Sequence, residues 1–140
     1  MSRVFFDTNL FIYLLEDRGP RAARITELTE RMLARGDQLY TSALTLGEVL
    51  VKPMEKSNSA LCRQYEAFIM AQAVVVPFDR EAALVYAQLR QDRGIKPPDA
   101  MQLSCAAVAR VDLFITNDDR LSRKIVPGVQ FISGFDRAFF

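Results

Sequence analysis

Short apolar runs that do not alternate with polar residues, each followed by helical segments, constrain this chain most. Val4-Phe5-Phe6, Val74-Val75-Val76 and Leu113-Phe114-Ile115 are such runs. A strand with one wet face alternates apolar and polar side chains. A run without alternation is buried on both faces, as in a parallel sheet. Parallel neighbours need a long crossover, normally helical. The periodicity predicts strands over 4–6, 38–41, 74–77, 113–116 and 129–132.

Between them, Asn9 is positioned to cap a helix over 10–15 that Gly19-Pro20 ends. A second helix, 20–33, carries Ala22, Ile25, Leu28 and Met32 at three- and four-residue spacing and closes at Gly36. Ser42 is placed to cap a helix running through Leu46, Val49 and Leu50 to Pro53. Leu61, Tyr65, Phe68 and Ile69 form one face of a helix over 59–73. Asp79 caps a helix carrying Ala82, Ala83, Tyr86 and Leu89, with Gly94 at its end. Pro97 and Pro98 open a helix striped by Met101, Ala106 and Ala109, and 119–124 reads as a short helix. The expected fold class is α/β: a three-layer α/β/α sandwich around a mostly parallel five-stranded sheet, in a single domain over 1–140.

Composition narrows the chemistry. The 140 residues include no histidine, which removes Ser-His-Asp triads and the usual catalytic zinc ligands. Cys62 and Cys105 read as small core residues of a reducing compartment. A formal net charge of +1 neither demands nor excludes nucleic acid, since a local patch matters more than a total. No stretch approaches the roughly 20 apolar residues of a membrane helix. The N-terminal apolar run stops too soon for a signal peptide, so a cytoplasmic location is expected.

Four acids sit where solvent-facing charge is not the obvious explanation. Asp7 directly follows the first strand, and Asp118 lies just past the fourth. Glu48 falls in the first two turns of the helix after the second strand, and Asp99 in the first turn of the proline-opened helix. In an open parallel sheet, strand C-termini and the helix N-termini that follow share the edge where ligands bind. Two unpaired carboxylates about 4 Å apart repel by roughly 4 kcal/mol at an effective dielectric near 20. Four together call for a cation or a proton. Oxygen ligands without imidazole or thiolate suit Mg²⁺ or Mn²⁺, which bind phosphodiesters and promote attack of water on phosphorus. Each acid also has an ordinary alternative. Asp99 could be a first-turn acid after proline, Asp118 and Asp119 turn and cap residues, Glu48 the partner of Thr45 in a capping box, and Asp7 a turn acid.

Four segments taken together resemble the PIN-domain ribonucleases, and within them the VapC-type toxins of prokaryotic toxin–antitoxin pairs. They are Val4-Phe5-Phe6-Asp7-Thr8-Asn9 with Tyr13 following, Thr41 to Val49 around Glu48, Pro98-Asp99-Ala100, and Asp112 to Asp118. They occur in the family order across nearly the whole chain. The resemblance implies that Asp7, Glu48, Asp99 and Asp118 are the catalytic acids that ligate or position Mg²⁺ or Mn²⁺. It implies that Thr116 supports the site, with Asn117 beside it, and that Asn9 helps order the first acid. It also implies strand order 3-2-1-4-5, homodimerisation, RNA as substrate and a cognate antitoxin as partner. In the Asp118-Asp119 doublet, Asp118 fits the Thr-Asn-Asp pattern better, and Asp119 suits a helix cap or an outer water ligand.

Lys52, Lys56, Arg93, Lys96, Arg120, Arg123 and Lys124 flank three of the acid-bearing segments and are candidates for holding RNA phosphates, although a solvated helix face explains any one of them equally well. Three other readings compete. One is a free-standing PIN nuclease acting in RNA processing or on DNA flaps, which the absence of a small neighbouring open reading frame would favour. Another is a degenerate PIN-like binding module, against which the four intact acids argue. The third is a phosphoacceptor domain of response-regulator type, which lacks its strand-end lysine here.

Overall fold

A computed structural model describes residues 1–16 and 19–135. Its elements, in chain order, are β1 (Arg3–Phe6), α1 (Thr8–Glu16), α2 (Pro20–Arg35), β2 (Gln38–Ser42), α3 (Ala43–Glu55) and α4 (Ser59–Gln72). There follow β3 (Val74–Val76), α5 (Arg80–Leu89), α6 (Pro97–Val108), β4 (Leu113–Thr116), a 3₁₀ turn over Leu121–Arg123, and β5 (Phe131–Gly134). The strands form one sheet in the order β3-β2-β1-β4-β5, the order the resemblance implies. Every neighbouring pair is parallel.

The pleat explains the layers. Val4 and Phe6 of β1 point to one face, where they meet Leu10 and Phe11 of α1, Ile25, Leu28 and Met32 of α2, Val49 of α3 and Ile69 of α4. Phe5 points to the other face and stacks on Phe114 of β4, with ring centroids 5.1 Å apart and planes 12° from parallel. That pair packs under Ala82 and Leu89 of α5 and Leu103 and Ala106 of α6. Consecutive apolar residues on β1 are thus required because each fills a different core.

Helix ends follow side-chain chemistry. Ser42 accepts the Thr45 N–H at 3.3 Å, and Asp79 accepts that of Ala82 at 3.0 Å. Gly36 closes α2 with φ +74°, a left-handed conformation that glycine adopts without steric cost.

Several expected boundaries move. Helix α1 begins at Thr8, so the cap position falls on Asp7, whose carboxylate accepts the Thr8 N–H, and not on Asn9. Helix α3 continues through Pro53 to Glu55, because a proline in the last turn forfeits only one helical bond. Helix α5 stops at Leu89, five residues before Gly94, and the expected helix over 119–124 is only the 3₁₀ turn. Strand β5 starts two residues late because Val126–Val129 form a turn, with Gly128 at φ +96° pressed against Ala107.

Phe68, expected on the inner face of α4, is 36% exposed. Helix α6 is buried almost all round, because its Ala, Ser and Cys side chains let it sit close to the sheet. Both cysteines are free thiols. Burial pushes the Cys105 thiol up to about 11, which leaves it a neutral packing group. No described helix is long and apolar enough to cross a membrane.

Candidate active site

The chain order places the site. From β1 the sheet grows in one direction through β2 to β3, and then α5 and α6 carry the chain back to β4 on the other side of β1. Flanking connections therefore diverge between β1 and β4 and leave a crevice beyond their C-terminal ends. A cleft of about 440 Å³ lies there, and Asp7, Glu48, Asp99 and Asp118 all line it. A larger hollow of about 630 Å³ at the opposite strand ends has its two acids already engaged. Asp37 holds Arg35 and the Ser2 N–H, and Asp112 the Arg3 N–H.

Asp7 extends β1, its N–H bonded to the Ile115 carbonyl at 3.0 Å. Its carboxylate accepts the Thr8 N–H at 2.8 Å and the Thr116 hydroxyl at 2.9 Å, and the residue is only 9% exposed. Its pKa is raised from 3.8 to about 6, chiefly by burial and to a lesser degree by the charges of Asp99 and Glu48, against those two hydrogen bonds. Asp99 sits in the first turn of α6, half-buried. Its pKa is also raised, first by burial and then by Asp118. Among the described residues, no basic side chain pairs directly with Asp7 or Asp99.

The other two acids have donors. Glu48 Oε1 accepts the Thr8 hydroxyl at 2.7 Å. Asp118 receives the Arg120 N–H at 2.9 Å, Nε at 3.2 Å and Nη2 at 3.1 Å, and this grip holds its carboxyl below the usual range. The Thr116 hydroxyl donates to Asp7 and accepts the Asp118 N–H at 3.1 Å, so one side chain ties two acids together.

Asp119 separates from its neighbour. It does not line the cleft, and its Oδ1 faces β5, so close that a Cβ on Gly134 would lie 2.8 Å from it. Asn9 donates to Asn117 at 3.0 Å, and Asn117 donates to Tyr13 at 3.0 Å, making a chain of polar groups at the rim. Thr8 and Thr116 supply the hydrogen bonds that order Asp7.

Of the seven cations, Lys52 lines the cleft 3.6 Å from Glu16, Arg120 holds Asp118, and the charge of Lys96 reaches Asp99 and Asp118. Lys124 is bound to Asp92 at 2.9 Å, and Lys56, Arg93 and Arg123 lie outside the cleft lining.

The donor set is hard oxygen carrying several negative charges, which suits Mg²⁺ or Mn²⁺ rather than a soft metal. Among the described residues, no three acid side chains close tightly round one point, since Asp118 is held by Arg120 and Glu48 by Thr8.

Beneath the acids lies a set of polar residues, Thr8, Ser42, Thr45 and Gln102, of which the sequence left only Gln102 unremarked. All four are buried, and they are hydrogen-bonded to one another. The one signal was an amide three residues after Asp99, on the same face of an otherwise apolar helix.

The family model described as PIN domain matches residues 4–125. No curated protein matches the sequence. Among solved structures, VapBC2 from Rickettsia felis, bound to a DNA fragment from their promoter, superposes with a TM-score of 0.74 at 15% identity, over 94% of this chain and 98% of that one. DNA-bound VapBC from Salmonella typhimurium gives 0.70 at 23% identity, over 96% and 99%. VapBC-5 from Mycobacterium tuberculosis, a member of the VapBC family of toxin-antitoxin systems, gives 0.60 at 22% identity, over 95% and 99%. At these identities the likeness is one of fold.

Proposed function

The chain belongs to the PIN domain family, and from that premise we propose that it is a divalent-metal-dependent endoribonuclease, the toxin of a type II toxin–antitoxin pair. One observation carries the reading: four carboxylates from four separate segments line one cleft at the sheet's switch point, and the most buried of them has no cationic partner among the described residues. A fold maintains such unfavourable charge where a ligand uses it.

Asp7, Glu48, Asp99 and Asp118 would hold Mg²⁺ or Mn²⁺, which supplies Lewis-acid activation of water and of the scissile phosphate. The chain's own groups do the rest. Thr116 and the Thr8 N–H fix the Asp7 carboxylate. Thr8 aims Glu48. Lys52, Lys96 and Arg120 give the acidic cleft a positive margin against which an RNA backbone is held. Single-stranded RNA suits a recessed site because its backbone and splayed bases can enter. The toxin assignment draws support from the toxin-antitoxin complexes that share the fold, and it predicts a small antitoxin gene beside this one.

The test is RNA cleavage by purified protein with and without Mg²⁺ or Mn²⁺, with Asp99→Asn as the contamination control. The amide keeps the shape but removes the charge a hard cation needs. The variant is expected to fold normally and to lose metal-dependent cleavage. A mere helix-start acid would instead cost at most about 1 kcal/mol of stability and leave cleavage intact. Cleavage at the parental rate with the same metal dependence would remove Asp99 from the site.

A further inference from the structure

We infer that Gln102 is a positioning residue that holds Glu48 toward the cation through the Thr8 hydroxyl, an inference that rests on the metal-dependent reading above. Gln102 is 2% exposed, and its amide is surrounded by hydroxyl groups. Its Nε2 donates to Thr8 Oγ1 at 2.7 Å and to Thr45 Oγ1 at 2.8 Å, while its Oε1 accepts from the Ser42 hydroxyl. Thr8 Oγ1 lies 3.0 Å from Thr45 Oγ1 and donates to Glu48 Oε1 at 2.7 Å.

The proton inventory permits one arrangement that satisfies every member. Ser42 accepts the Thr45 N–H, so its own proton goes to Gln102 Oε1. Both amide protons of Gln102 are then spent on the two threonines, and Thr45 gives its proton to Thr8. Thr8, its two lone pairs filled, has one proton left, and it points at Glu48. If the amide were reversed, Thr8 and Thr45 would have to donate to its oxygen, and Glu48 would lose its donor. Gln102 therefore decides which way the Thr8 proton faces.

The network also spans the elements that build the cleft. Thr8 begins α1, Ser42 and Thr45 stand at the start of α3, and Gln102 is one turn after Asp99 on α6. A single buried amide thus fixes the spacing between the Asp99 and Glu48 segments. Groups that orient a metal's ligands typically change affinity by about 10- to 100-fold when removed.

The experiment measures Mn²⁺ affinity by EPR of free Mn²⁺ for the wild type, Gln102→Met, Thr8→Val and Thr8→Ser, with Asp7→Asn as the site control. Gln102→Met and Thr8→Val keep volume but lose the relay, and each is expected to weaken Mn²⁺ binding by about 10-fold or more. Thr8→Ser keeps the hydroxyl and is expected to bind within about 3-fold of wild type, a difference of under 1 kcal/mol. The Gln102→Met loss should shrink to less than about 2-fold in a Glu48→Gln background, because coupling through a shared partner makes the losses non-additive. Wild-type affinity in Gln102→Met and Thr8→Val would overturn the inference, as would an undiminished loss in the Glu48→Gln background. If Gln102→Met fails to fold, Gln102→Leu takes its place with the same expected loss and the same Glu48→Gln comparison. A wild type that binds no Mn²⁺, or binds it equally after Asp7→Asn, removes the metal-site reading and this inference with it.

Discussion

Replacing Asp7 with asparagine should stabilise the metal-free protein by an amount that grows between about pH 4 and pH 6 and is constant above. The unfolded chain releases the Asp7 proton near pH 3.8, whereas the folded chain holds it until about pH 6, chiefly because the carboxylate is buried. Between those values the folded state binds more protons, so wild-type stability falls as pH rises through the window and levels off above it. Each pH unit of that displacement corresponds to about 1.4 kcal/mol, which makes the full penalty about 3 kcal/mol. The asparagine side chain would imitate the protonated acid. Its carbonyl can accept the Thr8 N–H, and its amide can face Thr116 Oγ1, which keeps a free lone pair beside the Asp118 N–H. The assay is urea unfolding of both proteins in chelator at pH 4, 6 and 8. The variant's advantage should be near zero at pH 4 and approach about 3 kcal/mol at pH 8. Saturating Mn²⁺ should then reverse the ranking, since an ion at about 1,000 times its Kd adds about 4.1 kcal/mol to whichever protein binds it. An advantage that does not change between pH 4 and pH 8 would refute the reasoning, because a neutral or fully compensated Asp7 has no pH-dependent penalty to relieve.

Three further variants test the local geometry. Gly128→Ala should lower the urea midpoint by the equivalent of about 1–3 kcal/mol, since φ is +96° and the new methyl would meet the Ala107 carbonyl at 2.8 Å; Gly36→Ala, at φ +74° with open space around it, should cost no more than about 1–2 kcal/mol. Arg120→Gln removes the guanidinium that depresses Asp118, so the Asp118 titration seen by NMR in chelator should move up toward the ordinary carboxylate value, and RNA binding should show a shallower dependence on salt.

Layering and strand positions were legible because they depend on local pattern. Unalternated Val4-Phe5-Phe6, three residues long and closed by an acid, reads as a doubly buried strand, and the packing of Phe5 on the opposite face from Val4 and Phe6 bears this out. Caps were equally local: Ser42 and Asp79 each satisfy an N–H three residues ahead. Boundaries failed where tertiary contact overrode propensity, as at β5, where Gly128 must fit against Ala107 before the strand can start. The strand order came from resemblance, since no periodicity in β4 states which strand it joins. The convergence of the four acids was legible through the rule that strand ends share an edge. The buried network was not, because each of its bonds between side chains joins residues 37 to 94 positions apart. Only the fold makes neighbours of Thr8 and Gln102.

The four acids are not equivalent, and the difference follows from where each sits. Asp118 follows β4 on an exposed turn, where the chain can fold back and offer Arg120 as a partner two residues on. Glu48 stands on α3 with a side chain long enough to reach Thr8. Asp7 has neither option: it continues a central strand with core residues on both faces, so it can be neutralised only by a proton or by something entering the cleft. Apolar packing of β1 and β4 holds that carboxylate in place, with Val4, Phe5 and Phe6 on one side of the strand junction and Phe114 and Ile115 on the other. The core thus stabilises the fold by enough to carry an unpaired acid at the end of its central strand. A position that breaks a rule of folding, yet is held so firmly by the residues before it, is where function is expected to reside.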